Sequence, residues 1–132
     1  MEESTIANFQ IITNEISLKN NKLPDGNFSI APRYTRSIGM IDDNTGFMEL
    51  ILEITNTEEH PFPLEIRVSL TGVFELSQFP EDQREYFLKI TAVQIIFPYV
   101  RNIVSTLTSS ALMPPIILPI IDVKRLFSDQ SN

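Results

Sequence analysis

Two stretches of this chain, FMELILEIT at 47–55 and LEIRVSLT at 64–71, alternate apolar and polar residues almost without a break. Successive side chains of an extended strand point to opposite faces, so a period of two sorts residues cleanly. Met48, Leu50, Leu52 and Ile54 fall on one face, against Glu49, Glu53 and Thr55. In the second stretch Leu64, Ile66, Val68 and Leu70 point inward, and Glu65, Arg67, Ser69 and Thr71 outward. Parallel strands are buried on both faces and read as unbroken apolar runs. A sheet with one packed face and one wet face is antiparallel.

Two weaker strands join these. FQIITNEISLK at 9–19 puts Ile12, Ile16 and Leu18 on one face, with Phe9, Ile11, Thr13, Glu15, Ser17 and Lys19 on the other. Residues 33–41 align Tyr34, Arg36, Ile38 and Met40. NNKLPDGN at 20–27 and DDNTG at 42–46 are turn sequences, and NTEEHPFP at 56–63 is a loop. Gly72 interrupts the fourth strand before VFEL at 73–76, which predicts a bulge or a bend. After Pro80 the period changes. PEDQREYFLKI has acids in its first turn and a Glu85–Lys89 pair four residues apart, as a helix start requires. Over 95–109, Ile96, Val100, Ile103, Val104 and Leu107 form a helical stripe, with Arg101, Ser105 and Thr108 opposite. The β-branched residues there also suit a strand, but Pro98 fits a first helical turn better than a central strand, which favours a helix. Asp122 is placed to cap a short closing helix, VKRLF. The expected fold is α+β in one domain, 1–132. A four-stranded, meander-like antiparallel sheet spans 9–76, and helices joined by a proline-rich crossover span 80–127.

The chemistry the chain lacks narrows its function. A length of 132 residues suits one core. With no cysteine and a single histidine, His60 in a loop, disulfides, thiolate metal sites and a cysteine nucleophile are excluded. The formal charge of −7 opposes nucleic-acid binding, which depends on neutralising phosphates. No run of 18 apolar residues predicts a membrane span, and MEESTIANFQ has no basic region of the kind that opens a signal peptide. There is no G-x-S-x-G elbow and no glycine-rich phosphate loop. A calcium-loop likeness beginning at Asp42 fails at its sixth position, which is Phe47 where glycine is needed. Asn27-Phe28-Ser29 is formally a glycosylation sequon, with nothing to route it to a secretory lumen. The outward carboxylates Glu49, Glu53 and Glu65 read as a solvated face. The expectation is a protein that is not an enzyme and uses no cofactor and no metal.

One segment needs a special explanation. Leu112, Met113, Ile116, Ile117, Leu118, Ile120 and Ile121 lie in a connection broken by Pro114, Pro115 and Pro119. Prolines prevent a regular element there, so these side chains cover the core, line an apolar groove or meet another copy.

The same region carries a resemblance. IIFPYVRNIVSTLTSSALMPPIILPIIDVKRLF, 95–127, resembles the C-terminal half of the SecB export chaperone family. The shared features are Phe97-Pro98-Tyr99-x-Arg101, Ser105, the segment Pro115 to Pro119, and a short helix led by an acid. Phe9-Gln10-Ile11 and Thr13-x-Glu15-Ile16-Ser17 resemble the family's first strand, and Gly72-Val73-Phe74 the end of its fourth. The resemblance implies a four-stranded sheet with a long helix and a short lid helix. It also implies a homotetramer, a dimer of dimers, that acts in the cytoplasm without nucleotide or membrane insertion. Such proteins hold unfolded polypeptide clients in apolar grooves, and many pass them to the motor SecA. The expected client groove runs between the crossover at 113–121, the lid helix 122–127 and the second strand; the resemblance places Tyr34 in it, and Phe62, Ile117, Leu118, Ile120, Leu126 and Phe127 are the other candidates. The resemblance places Glu15, Lys19 and Arg67 at positions where acids dock a basic tail of SecA. Two of those three have reversed sign, and only SDQSN follows Phe127, so weak or no docking to SecA is expected. Some SecB-like proteins guard an antitoxin instead, which leaves a dedicated client as the alternative.

Overall fold

The computed structural model describes residues 8–127. The N-terminal MEESTIA, part of the segment read above for its lack of basic residues, and the SDQSN tail lie outside the described residues. The strands are β1 (Phe9–Asn20), β2 (Arg33–Met40), β3 (Thr45–Ile54) and β4 (Leu64–Glu75). A helical rod follows, made of α1 (Glu81–Tyr86), a π-helical turn (Phe87–Thr91) and α2 (Ala92–Ser110), and α3 (Val123–Leu126) closes the described chain.

All strand pairs are antiparallel, in the order β1-β4-β3-β2. Strands β2 to β4 form the expected meander. The connection over 21–32 then sets β1 on the far edge, beside β4. Every second residue of β3 is buried, as the alternation predicts. The core is the inner face of β3 and β4 against the helical rod. Met48, Leu50, Leu52, Val68 and Phe74 there meet Ala92, Val93, Ile96, Val100 and Val104, all with no exposed surface. Each of these side chains larger than alanine contributes roughly 1.5–3 kcal/mol relative to leaving it in water.

Strand β1 departs from its expected faces. Its register against β4 shifts between Thr13 and Glu15, so Asn14 is an extra residue that flips the parity. Phe9, Ile11 and Thr13 pair with Phe74, Gly72 and Leu70 on the core side. Beyond the bulge, Ile16 and Leu18 pair with Val68 and Ile66 on that same side, while Ile12 lies on the outer face opposite Thr71. The bulge expected at Gly72 is absent, because β4 runs unbroken through it. Gly72 instead makes space: a Cβ would lie 2.7 Å from the Phe74 ring and 3.0 Å from Ile96. Glycine therefore lets α2 approach the sheet closely.

The helical rod begins at Glu81, well before the ambiguous stretch, so Pro98 lies inside α2 and not in a first turn. The π-helical turn buries the consecutive residues Phe87 and Leu88. The Phe87 ring meets Phe74 at 5.2 Å and Phe79 at 4.9 Å. Within Glu81–Ser110 one 18-residue window, with a mean hydropathy of 1.3, is long and apolar enough to cross a membrane. In this fold its apolar stripe, from Ala92 to Val104, packs on the sheet.

Candidate functional site

The crossover over 111–122 has no strand partner, so its backbone needs other hydrogen bonds. The end of α2 supplies them. Leu112 takes a left-handed conformation, with φ 64°, and closes the helix. The Met113 N–H donates to Thr108 O at 3.1 Å and the Leu112 N–H to Ser109 O at 3.0 Å, a Schellman cap usually reserved for glycine. The Thr108 hydroxyl is fully buried. It accepts the Ile116 N–H at 3.0 Å and lies 2.9 Å from Val104 O, to which it donates. The expectation that Thr108 lies opposite the buried stripe is corrected accordingly. Two turns earlier, Arg101 Nε donates to Leu118 O at 2.8 Å. These two side chains staple the proline segment to the helix.

Stapling fixes which apolar residues turn in and which turn out. Leu118 and Phe127 are sealed into the core, at 0% and 4% exposure. Ile117, Ile120 and Leu126 remain exposed at 63%, 80% and 38%. The Asp122 carboxylate accepts the Arg125 N–H and caps α3, as expected. Below that lid, the Arg36 guanidinium donates to Lys89 O at 2.7 Å and lies 4.2 Å from the Phe127 ring centroid. Burial lowers its pKa. A cavity of about 290 Å³ opens here between β2, the π-helical turn and α3, lined by Arg36, Ile90, Val123 and Phe127. A second, of about 240 Å³, lies between Phe97, Arg101 and Ile120.

The seven residues assigned to the client groove thus divide. Ile117, Ile120 and Leu126 are exposed, the first two beside Pro98 and Arg101 of α2. Tyr34, Phe62, Leu118 and Phe127 belong to the buried core. Tyr34 packs edge-on against Phe97, with centroids 5.9 Å apart, and Phe62 against Phe28 at 6.4 Å. The buried Tyr34 hydroxyl has no partner among the described residues, and burial pushes its pKa up to about 12. Arg36, Arg101 and Thr108 are the shaping residues missed from sequence. The available signal was Arg36 in register with Tyr34 and Ile38 on an otherwise apolar face.

The outer face of the sheet is wet but internally paired. Arg67 donates to Glu15 at 2.7 Å and to Glu53 on its other side. The hydrogen bond to Glu15 raises the already high pKa of Arg67. Arg33 approaches Glu53 at 3.7 Å, the Ser69 hydroxyl donates to Glu49 at 3.1 Å, and Asn14 donates to Ser69 and Thr71. Lys19 is exposed opposite Glu65. The loop histidine is tied down: His60 Nε2 is 2.8 Å from Ser29 O. Among the described residues no cluster of three His, Cys, Asp or Glu is placed to hold a metal ion.

Comparison with known proteins agrees with this architecture. The model of the family described as preprotein translocase subunit SecB matches residues 8–132. An uncharacterized protein of Methanocaldococcus jannaschii is 31% identical over 128 residues, covering 94% of this chain and 79% of that protein. The protein-export protein SecB of Orientia tsutsugamushi is 30% identical over 88 residues, 67% of this chain and 55% of the relative. That of Neisseria meningitidis is 24% identical over 117 residues, 89% and 68%. The chain therefore spans little more than half the length of some bacterial relatives. Among solved structures, a Mycobacterium tuberculosis SecB-like chaperone, Rv1957, in complex with a peptide from the HigA1 antitoxin, superposes with a TM-score of 0.70 at 15% identity. The overlap covers 89% of this chain and 91% of that one, and shows a shared fold. By the family match along nearly its whole length, the chain belongs to the SecB family.

Proposed function

We propose that this protein is a holdase, which binds unfolded polypeptides along the groove bounded by β2, the crossover and the lid helix α3. The observation that carries this reading is the exposure of three apolar residues, Ile117 and Ile120 on a crossover stapled to α2 and Leu126 on the lid helix. An isolated apolar side chain on a surface means little, but apolar side chains held out on a fixed backbone suit an extended chain. Apolar contacts plus backbone hydrogen bonds tolerate many client sequences. The activity needs no catalytic group, cofactor or metal, and its place is the cytoplasm, before clients fold or are exported.

The assembly we propose is a homotetramer, a dimer of dimers. Edge strand β1 supports this: Phe9, Ile12 and Ile16 are 37%, 42% and 42% exposed, which leaves apolar surface on both of its faces. Docking to SecA through the sheet face is weak or absent in this reading. Arg67 already engages Glu15 and Glu53, so two of the carboxylates a basic tail would seek are occupied. That pairing favours the second reading, a chaperone dedicated to one client such as an antitoxin.

Light scattering is expected to give about four chain masses of 15.1 kDa, and a stable monomer at micromolar concentration removes the assembly. Substoichiometric suppression of aggregation for several unrelated unfolded proteins supports the general holdase. Suppression of none, with tight binding of a single client, supports the dedicated one. Titration with the basic tail of the host SecA is expected to be silent, and a submicromolar, salt-sensitive signal removes that part of the reading.

A further inference from the structure

A cavity of about 510 Å³ lies further along β2 than the lid cavity, between the end of that strand and α1. Its apolar wall is Ile38, Met40 and Leu88. Met40 is 47% exposed, and next to it Ile41 is 58% exposed. The rim differs in sign from that of the lid cavity. Asp42, Asp43, Glu81 and Glu85 ring this opening, with Arg84 the one cation. Arg84 is engaged by carbonyls, donating to Phe79 O at 3.0 Å and Asp43 O at 2.8 Å. The Asn44 N–H donates to Asp42 and keeps that carboxyl below its ordinary range. Asp43 and Glu81 are exposed and form no ion pair among the described residues. The lid cavity, by contrast, is lined by Arg36, Lys89 and Lys124 with no carboxylate.

The two openings follow one another along the same two elements. Arg36 lines one and Met40 the other, four residues apart on β2, which is roughly 13 Å of strand. On the helical rod, the Lys89–Glu85 pair at 2.7 Å joins the last cation of one opening to the first acid of the other. The two openings thus give β2 and the helical rod a positive end under the lid and a negative, apolar-walled end at the β2–β3 turn.

Resting on the holdase reading above, we infer that this charge polarity orients the bound client. A Lys or Arg of the client enters the opening at Asp43 and Glu81, its aliphatic stem on Met40 and Leu88, and an acidic residue some four to six positions away faces Lys124. Charge complementarity selects this occupant, an extended polypeptide segment with separated basic and acidic ends. Long basic side chains suit the negative end because their stems cover apolar wall while the cation stays at the wet rim.

Four synthetic peptides test this on the full-length protein. They share one neutral extended apolar core, bare or carrying Lys-Lys at one end, Glu-Glu at the other, or both. The readout, from fluorescence anisotropy, is each charged peptide's affinity relative to the bare core. At about 20 mM salt the wild type is expected to favour each single-tailed peptide by about three- to tenfold and the doubly tailed one by more, with the preference shrinking at about 200 mM salt. In Asp43→Asn/Glu81→Gln the preference for the Lys tail should vanish while that for the Glu tail persists. Lys124→Gln should do the reverse. If the bare core binds but tails change nothing, or if both variants erase both preferences alike, the polarity is refuted and the holdase reading stands. If no peptide binds, the holdase reading falls and the polarity with it.

Discussion

Replacing Tyr34 by Phe removes one oxygen from the buried core and nothing else. The residue is 6% exposed, and its hydroxyl has no partner within hydrogen-bonding distance among the described residues. A buried polar group left unpaired costs about 1–3 kcal/mol, whereas the ring contact with Phe97, at 5.9 Å, is retained by phenylalanine. The variant is therefore expected to be more stable by about 1 kcal/mol, and for a domain of this size its Tm rises by roughly 3–6 °C. The effect grows with alkali. Burial raises the pKa of the phenol from 10.0 to about 12, so the unfolded chain ionises first. The stability held by the neutral phenol is intact below pH 10 and is lost as pH rises from 10 towards 12, a loss the Phe variant escapes. Thermal unfolding followed by circular dichroism, at one fixed protein concentration and from pH 7 to pH 11, measures both effects. A variant less stable than wild type at pH 7 refutes the reasoning, because the hydroxyl must then be hydrogen-bonded.

Leu112→Gly is expected to stabilise the protein by about 0.5–1 kcal/mol in chemical denaturation, since the left-handed strain at an L-residue exceeds the added freedom of unfolded glycine. Little packing is lost, because Leu112 is 94% exposed. Thr108→Val strands the Ile116 N–H and should destabilise by about 1–3 kcal/mol, with faster amide exchange at Ile116 and Leu118 than in the sheet. Ile120→Asp, at an 80% exposed site, is expected to leave stability within about 0.5 kcal/mol and to weaken binding of an unfolded client severalfold. Leu118→Asp instead places a carboxylate at a site with no exposure and is expected to lose the fold by circular dichroism, so it reports on the core and not on the groove.

Much of the architecture was written in local periodicity. The alternation in 47–54 and 64–71 specified β3, β4 and the sign of their faces, because a strand has no other way to separate Leu and Ile from Glu and Thr. The acids after Pro80 and Asp122 before Val123 marked helix starts by backbone chemistry that acts within one turn. The family motifs, from Phe97 to the proline segment, were also legible, because they are contiguous. What the sequence left open depends on partners distant in the chain. The bulge at Asn14 exists only as a mismatch against β4, more than 50 residues away, so the faces of Ile12 and Ile16 could not be read from β1 alone. Gly72 makes room for Ile96, a helix residue, and so looks locally like a break. Leu118 and Ile120 are both apolar and two residues apart, in a segment without regular period. Which of them enters the core is decided by Arg101 and Thr108, whose hydrogen bonds to the crossover backbone fix its rotation about its own axis. An irregular segment has no intrinsic inside and outside. Only the surface it is tied to gives it one.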